Sequence, residues 1–376
     1  MESKKKVYIR KKKLNESAVN EAQGVDKYIN QCTEEITSEV LEDFTLAKKG
    51  EKGKHVDPDA IGFDMSVFGD DKELRLEYRR TIIMRTEVPL RDGKVVTFEY
   101  PVAVNVSFDE NMHKKGVGGT CKHVPLYLSA YMEKCEKVSD SLYKFGRGMA
   151  DDDKEWMKNP PFAVYVDLYS CVKNPEDRDK AVFDTASFKD TLSHELMHSK
   201  STFREFTEKT SKHGQTYLSQ TFAPEESDRG LDFVKYYLSP DERKSYIVGL
   251  YSSVKQKTKD YVNAGKEKPG ADEVKTFIRE SLSWRHYEHV KNMLKKADEN
   301  EESMAKCRNA IKEFLEKHYK GEFQKQDFME FKKMTGISSV DDFIKYMKKT
   351  MKDLELKLLK AAYKGYTDAV TEYNKR

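Results

Sequence analysis

Residues 191–199 read Thr-Leu-Ser-His-Glu-Leu-Met-His-Ser, and the spacing His194-Glu195-x-x-His198 constrains this chain more than any other feature. On an α-helix, positions i and i+4 stack one turn apart, so both imidazoles face one side and can reach one metal ion. Glu195 lies about 100 degrees around the helix from His194. From there its carboxylate can take a proton from a water that the metal activates. The flanks suit a helix: Asp184 or Ser187 can cap its start, while Phe188, Leu192 and Leu196 form a separate apolar stripe. The helix packs by that stripe and turns its histidines toward a cleft.

Two histidines are one short of a catalytic zinc site, which uses three protein ligands and keeps a fourth position for water. A metzincin would need Gly at 201 and His at 204, where this chain has Ser201 and Arg204. The thermolysin-type spacing would put Glu where Tyr217 stands, and Cys171, in Ser170-Cys171-Val172, lacks the Gly-Cys-Leu setting of a deformylase. Further on, Ser239 can cap and Pro240 open another helix, with Glu242 in its first turn. Glu242 is the candidate third ligand; the small Ser245 would let the two helices approach, and Tyr246 would lie near the metal. The rival role for Glu242 is a capping box with Ser239. Glu205, Glu208, His213, Glu225, Glu226 and Asp228 are other candidates without such a helix start. Tyr246, Tyr251 and His213 are candidate donors to a developing oxyanion.

Between residues 74 and 108 the apolar period falls to two: Leu74, Leu76 and Tyr78, then Ile82 and Met84, then Val96, Phe98 and Tyr100. Asp92-Gly93 between such runs signals a hairpin. Pro101 confines the continuation, Pro101 to Phe108, to a strand start, a bulge or an edge. Leu128, Tyr131, Cys135, Val138 and Leu142 return to helical spacing, and Phe162, Val164, Val166 and Leu168 alternate as a further strand. The stretch Gly116 to His123 resembles a phosphate loop, but Cys121 and His123 stand at key positions, so a plain Gly-rich loop is expected. His286 and His289 share a helical face without an evident third ligand and read as packed or solvated.

With Glu242-x-x-Ser245 following His194-Glu195-x-x-His198, the chain resembles the zincin metallopeptidases of the gluzincin type. Leu192-Ser193-His194-Glu195-Leu196-x-His198 followed by Tyr237-Leu238-x-Pro240-x-Glu242 also resembles zincin-like proteins encoded by bacteriophages and other viruses. The resemblance covers about residues 160–255. It implies an α+β zincin-like domain: a twisted, mostly antiparallel sheet packed on the motif helix, with an edge strand that pairs to a peptide or protein substrate. It implies Zn2+ held by His194, His198 and Glu242, with Glu195 as general base in peptide-bond hydrolysis. A catalytically silent relative, such as a virion component in which zinc staples the fold, is the alternative.

Three regions are expected: a basic arm and amphipathic helix (1–55), the zincin-like domain (56–260) and a helical C-terminal region (261–376). The arm concentrates Lys4 to Lys6 and Arg10 to Lys13. The last helix carries a heptad-like seam of Ile344, Met347, Met351, Leu354, Leu358 and Ala361, so arm and helices are the candidate surfaces for a partner protein. A net charge of +3, from 68 basic and 65 acidic residues, argues against nucleic acid binding by the whole chain. No apolar run approaches the roughly 20 residues of a membrane span. Five widely spaced cysteines fit a reducing, cytoplasmic setting, or a virion, better than a disulfide scaffold.

Overall fold

The alternating residues of the first half build one buried sheet face. The computed structural model describes residues 26–49, 54–55, 77–89, 95–109, 116–123, 130–131, 133–158, 160–169, 182–211, 240–299, 340–375 and positions 302, 305 and 309. Strands β1 (Glu77–Pro89) and β2 (Val95–Asp109) pair antiparallel, from Glu77 opposite Ser107 to Pro89 opposite Val95, which closes the expected hairpin. Tyr78, Ile82, Met84 and Val88 face the core together with Val96, Phe98, Tyr100, Val102, Val104 and Val106. Leu74 and Leu76 lie outside the described residues.

Strand β6 (Phe162–Tyr169) runs parallel to β2, and β3 (Gly116–His123) pairs antiparallel to β6. Two short strands, β4 (Glu136–Ser139) and β5 (Leu142–Lys144), form a small hairpin whose β5 runs parallel to the start of β2. A helix, α2 (Asp153–Lys158), precedes β6 and buries Trp156. Antiparallel pairing is the longer part, as expected, but the sheet is mixed because β2 has two parallel neighbours. The long connection from β2 to β6 permits that, since parallel strands need a crossover.

Three local expectations are corrected. Pro101 sits in the middle of central strand β2, not at a start, bulge or edge. Thr97 N–H bonds Ser141 O and Glu99 O accepts from Phe145 N–H, so the odd residues of β2 point their main chain away from β1. The missing N–H of Pro101 therefore falls at the joint where β5 ends opposite Glu99 and β6 begins opposite Val102. Of the helical spacing over 128–142, positions 130, 131 and 133 are helical and Leu128 lies outside the described residues, but Val138 and Leu142 belong to the β4–β5 hairpin; Val138 is exposed, while Tyr131 and Phe145 on either side pack on the core. The Gly-rich stretch 116–123 is not a loop but the strand at the end of the sheet.

Two helices cover the buried face. Helix α1 (Lys27–Lys48) is capped by Asp26, whose Oδ1 accepts from the N–H groups of Tyr28 and Ile29, both at 3.1 Å. It sends Ile29, Ile36, Val40 and Phe44 into the same core as the strands. Helix α3 (Thr185–Ser211) carries the histidine motif, and Asp184 caps it by accepting from Ser187 N–H at 3.0 Å. Phe188, Leu192, Leu196 and Phe203 of α3 are fully buried. Phe203 stacks on Tyr100 with ring centroids 4.1 Å apart and meets Phe145 edge-on at 4.7 Å. Ion pairs Lys189–Glu34 and Lys200–Asp26 tie α3 to α1 along its length.

A second core is helical. Helix α4 (Pro240–Asn263) lies across α3 and continues into α5 (Ala271–Glu280) and α6 (Leu282–Glu299), while α7 (Val340–Tyr373) packs along α4. The seam residues Met347, Met351, Leu354, Leu358 and Ala361 are buried against Tyr246, Leu250, Tyr251 and Val254 of α4. That seam is thus covered within the chain; the side chain of Ile344 and the whole basic arm lie outside the described residues. No helix among the described residues is long and apolar enough to cross a membrane. Cys32, Cys121 and Cys135 are free thiols.

Candidate metal centre

The centre forms where α4 crosses α3. His194 and His198 stand one turn apart on α3, and Glu242 enters from the first turn of α4. The two Nε2 atoms are 3.1 Å apart. Glu242 Oε2 lies 3.3 Å from His194 Nε2, and its Oε1 lies 3.2 Å from His198 Nε2. One ligand atom from each residue thus falls within a 4.8 Å cluster that can hold a metal ion. Both Glu242 oxygens are turned to the histidines, which favours the ligand role over a capping box; Ser239 lies outside the described residues.

Burial is graded across the centre. The His194 and His198 side chains are 15% and 19% exposed, whereas Glu242 is 4% exposed, so access is from the histidine side. Burial alone would keep His194 neutral, but the Glu242 carboxylate, with Glu195 and Asp190 nearby, outweighs it and raises the pKa to about 9. Burial would raise the Glu242 carboxyl, yet hydrogen bonds from both histidines hold it well below the usual carboxylate range.

Glu195 points the other way around α3, toward β3. Burial raises its carboxyl pKa, against the pull of both histidines and of the Cys121 backbone N–H that donates to it. The strand comes this close because residue 119 is glycine: a Cβ there would stand 2.5 Å from Thr191 Cγ2, 2.8 Å from Glu195 Cγ and 3.0 Å from Glu195 Oε1. The main chain of β3 therefore runs directly beside the carboxylate.

Of the other residues expected here, Tyr246 is placed beside the centre, buried, with its ring centroid 5.1 Å from that of His194. Tyr251 is not: its hydroxyl donates to Asp368 Oδ2 at 2.8 Å in the helical core, which removes it from the oxyanion candidates. His213, Glu225, Glu226 and Asp228, and the side chains of Glu205 and Glu208, lie outside the described residues. The chain matches no family model, no curated protein and no solved structure.

Sequence reasoning missed Asp190 and did not connect His286, Gly119 or Cys121 to this centre. His286 on α6 brings its ring to 5.8 Å from Tyr246, at the exposed rim of the centre. Asp190, one turn before His194, is buried where α3, α4 and α6 meet. Gly119 and the Cys121 N–H bring β3 to Glu195. The fourfold spacing Asp190, His194, His198 was a usable signal for Asp190; His286 and the stretch Gly116 to His123 stood out in the sequence, but nothing local tied either to this centre.

Proposed function

We propose that the chain is a zinc-dependent metallopeptidase, with His194, His198 and Glu242 as metal ligands and Glu195 as general base. The observation that carries this reading is the ligand geometry beside a buried carboxylate. Zinc bonds of about 2.0–2.1 Å at tetrahedral angles put neighbouring ligand atoms about 3.3 Å apart. The two Nε2 atoms here are 3.1 Å apart, each lies 3.2–3.3 Å from a different oxygen of Glu242, and one ligand atom from each of the three residues falls within 4.8 Å of the others, close enough for a small closure around an ion. Zinc, when bound, supplies Lewis acidity and lowers the pKa of a coordinated water toward about 7.

The chain's own residues do the rest. Glu195, its pKa raised by burial, suits a group that accepts a proton and later delivers it to the leaving amine. An extended peptide can add beside β3, the strand at the end of the sheet among the described residues, held by main-chain hydrogen bonds within reach of Glu195. Tyr246, beside His194, is the nearest candidate to donate to a carbonyl oxygen that gains charge.

The test is zinc content and peptide hydrolysis in the wild type, in Glu242→Ala and in Glu195→Gln. Expected are one zinc per wild-type chain, loss of zinc in Glu242→Ala, and retained zinc with abolished turnover in Glu195→Gln. Zinc in the wild type without hydrolysis of any peptide or protein substrate would point instead to a silent zincin-like protein in which the metal staples the fold.

A further inference from the structure

Asp190 solves a problem that belongs to another helix. The first N–H groups of a helix have no intrahelical partner and must find one elsewhere. At the start of α6, Trp284 N–H bonds Ser281 Oγ at 3.1 Å. Ser283 N–H bonds Asp190 Oδ2 at 3.3 Å, Ser283 Oγ donates to Asp190 Oδ1 at 2.5 Å, and Leu282 N–H also donates to that carboxylate. A fully buried carboxylate inside α3 thus caps α6 from outside it.

The same carboxylate lies against α4 at Gly249. A Cβ on residue 249 would fall well inside contact distance of Asp190 Oδ1, 2.6 Å from Ser283 Oγ and 3.0 Å from Asp190 O. On α3, Asp190, His194 and His198 are spaced by four; on α4, Gly249 lies two turns after Glu242. The two facing stripes therefore touch twice: Asp190 against Gly249 at one point, the histidines against Glu242 at the other.

We propose that Asp190 is a positioning residue of the metal centre, fixing through Gly249 and Ser283 the depth at which α4 crosses α3 and hence where Glu242 lands. The magnitudes support this coupling. Relieving the contacts that a methyl group at 249 would make requires a displacement on the order of 1 Å, because packed helices have no spare volume. A metal site tolerates only about 0.2 Å in its ligand distances. A change two turns from the nearest ligand is thus large enough to open the cluster.

The proposal rests on the metal-centre reading, and the experiment separates the two. Zinc affinity is measured by chelator competition in the wild type, Gly249→Ala, Asp190→Ala and the double variant, with a crystal structure of metal-free Gly249→Ala. Gly249→Ala is expected to weaken zinc binding by roughly 10- to 100-fold, the range seen when groups supporting a ligand are lost. In its structure Glu242 moves away from both Nε2 atoms. The double variant should lose less than the product of the single effects, because Asp190→Ala removes the atom nearest the new methyl group. Wild-type affinity with an unmoved Glu242 in Gly249→Ala overturns the proposal, as does a double variant that loses the full product. If Asp190→Ala does not fold, Ser283→Ala replaces it as the relieving partner. A wild type that binds no zinc refutes the metal reading alone, since the Gly249→Ala structure still decides the positioning role.

Discussion

On the proposed zinc reading, the metal and a proton compete for His194, and the competition has a predictable size. In the metal-free protein the facing Glu242 carboxylate raises the His194 pKa from 6.5 to about 9. A metal needs the unprotonated Nε2, so binding must expel that proton. At pH 7 the imidazole sits about 2 units below its pKa, which weakens apparent zinc affinity roughly 100-fold, or about 2.7 kcal/mol. Affinity should rise about tenfold per pH unit between pH 6.5 and 9 and level off above, as read by chelator competition. Calorimetry in buffers of different ionisation enthalpy should count about one proton released per zinc at pH 7. In Glu242→Gln the raising partner is gone and burial favours the neutral ring, so the slope should flatten even as affinity falls. A wild-type affinity independent of pH across that window would refute the reasoning. The metal-free fold should show the opposite trend: a raised folded-state pKa adds stability that is complete below pH 6.5 and lost as pH rises through about 9.

Two further perturbations test neighbouring parts of the molecule. Gly119→Ala places a methyl group 2.8 Å from Glu195 Cγ, so zinc content should stay at the wild-type level while peptide hydrolysis falls on the order of 100-fold, the usual cost of about 1 Å of misplacement. Unchanged kcat/KM would remove β3 from the site. Phe203→Ala empties the contact among Tyr100, Phe145 and the sheet, and should cost about 3–5 kcal/mol in denaturant unfolding of the metal-free chain. A loss under about 1 kcal/mol would mean that the α3–sheet contact is not the core described here.

What the sequence disclosed and what it hid divide along a physical line. His194, Glu195 and His198 were legible because a helix converts their spacing directly into a shared or adjacent face, and Asp184 and Phe188 marked that helix locally. Glu242 was legible less directly, through a helix start that could bring a carboxylate back. The β1–β2 hairpin and β6 followed from alternation, whereas Val138 and Leu142 deceived because their helical spacing from Tyr131 and Cys135 also fits a hairpin with an exposed Val138. Pro101 deceived for a tertiary reason: its tolerance depends on where β5 stops and β6 starts, which no local pattern encodes. The glycines are the sharpest case. Gly119 and Gly249 matter for the side chains they lack, and each is required because other elements arrive there, Thr191 and Glu195 at the first, Asp190 and Ser283 at the second. In a sequence such a residue is one of 19 glycines; its role is a distance to a crossing element, which exists only after the chain has folded. The candidate ligands of this centre can thus be named from the sequence, while the residues packed against them and against Glu195 can be found only at the crossings of α3 with β3, α4 and α6.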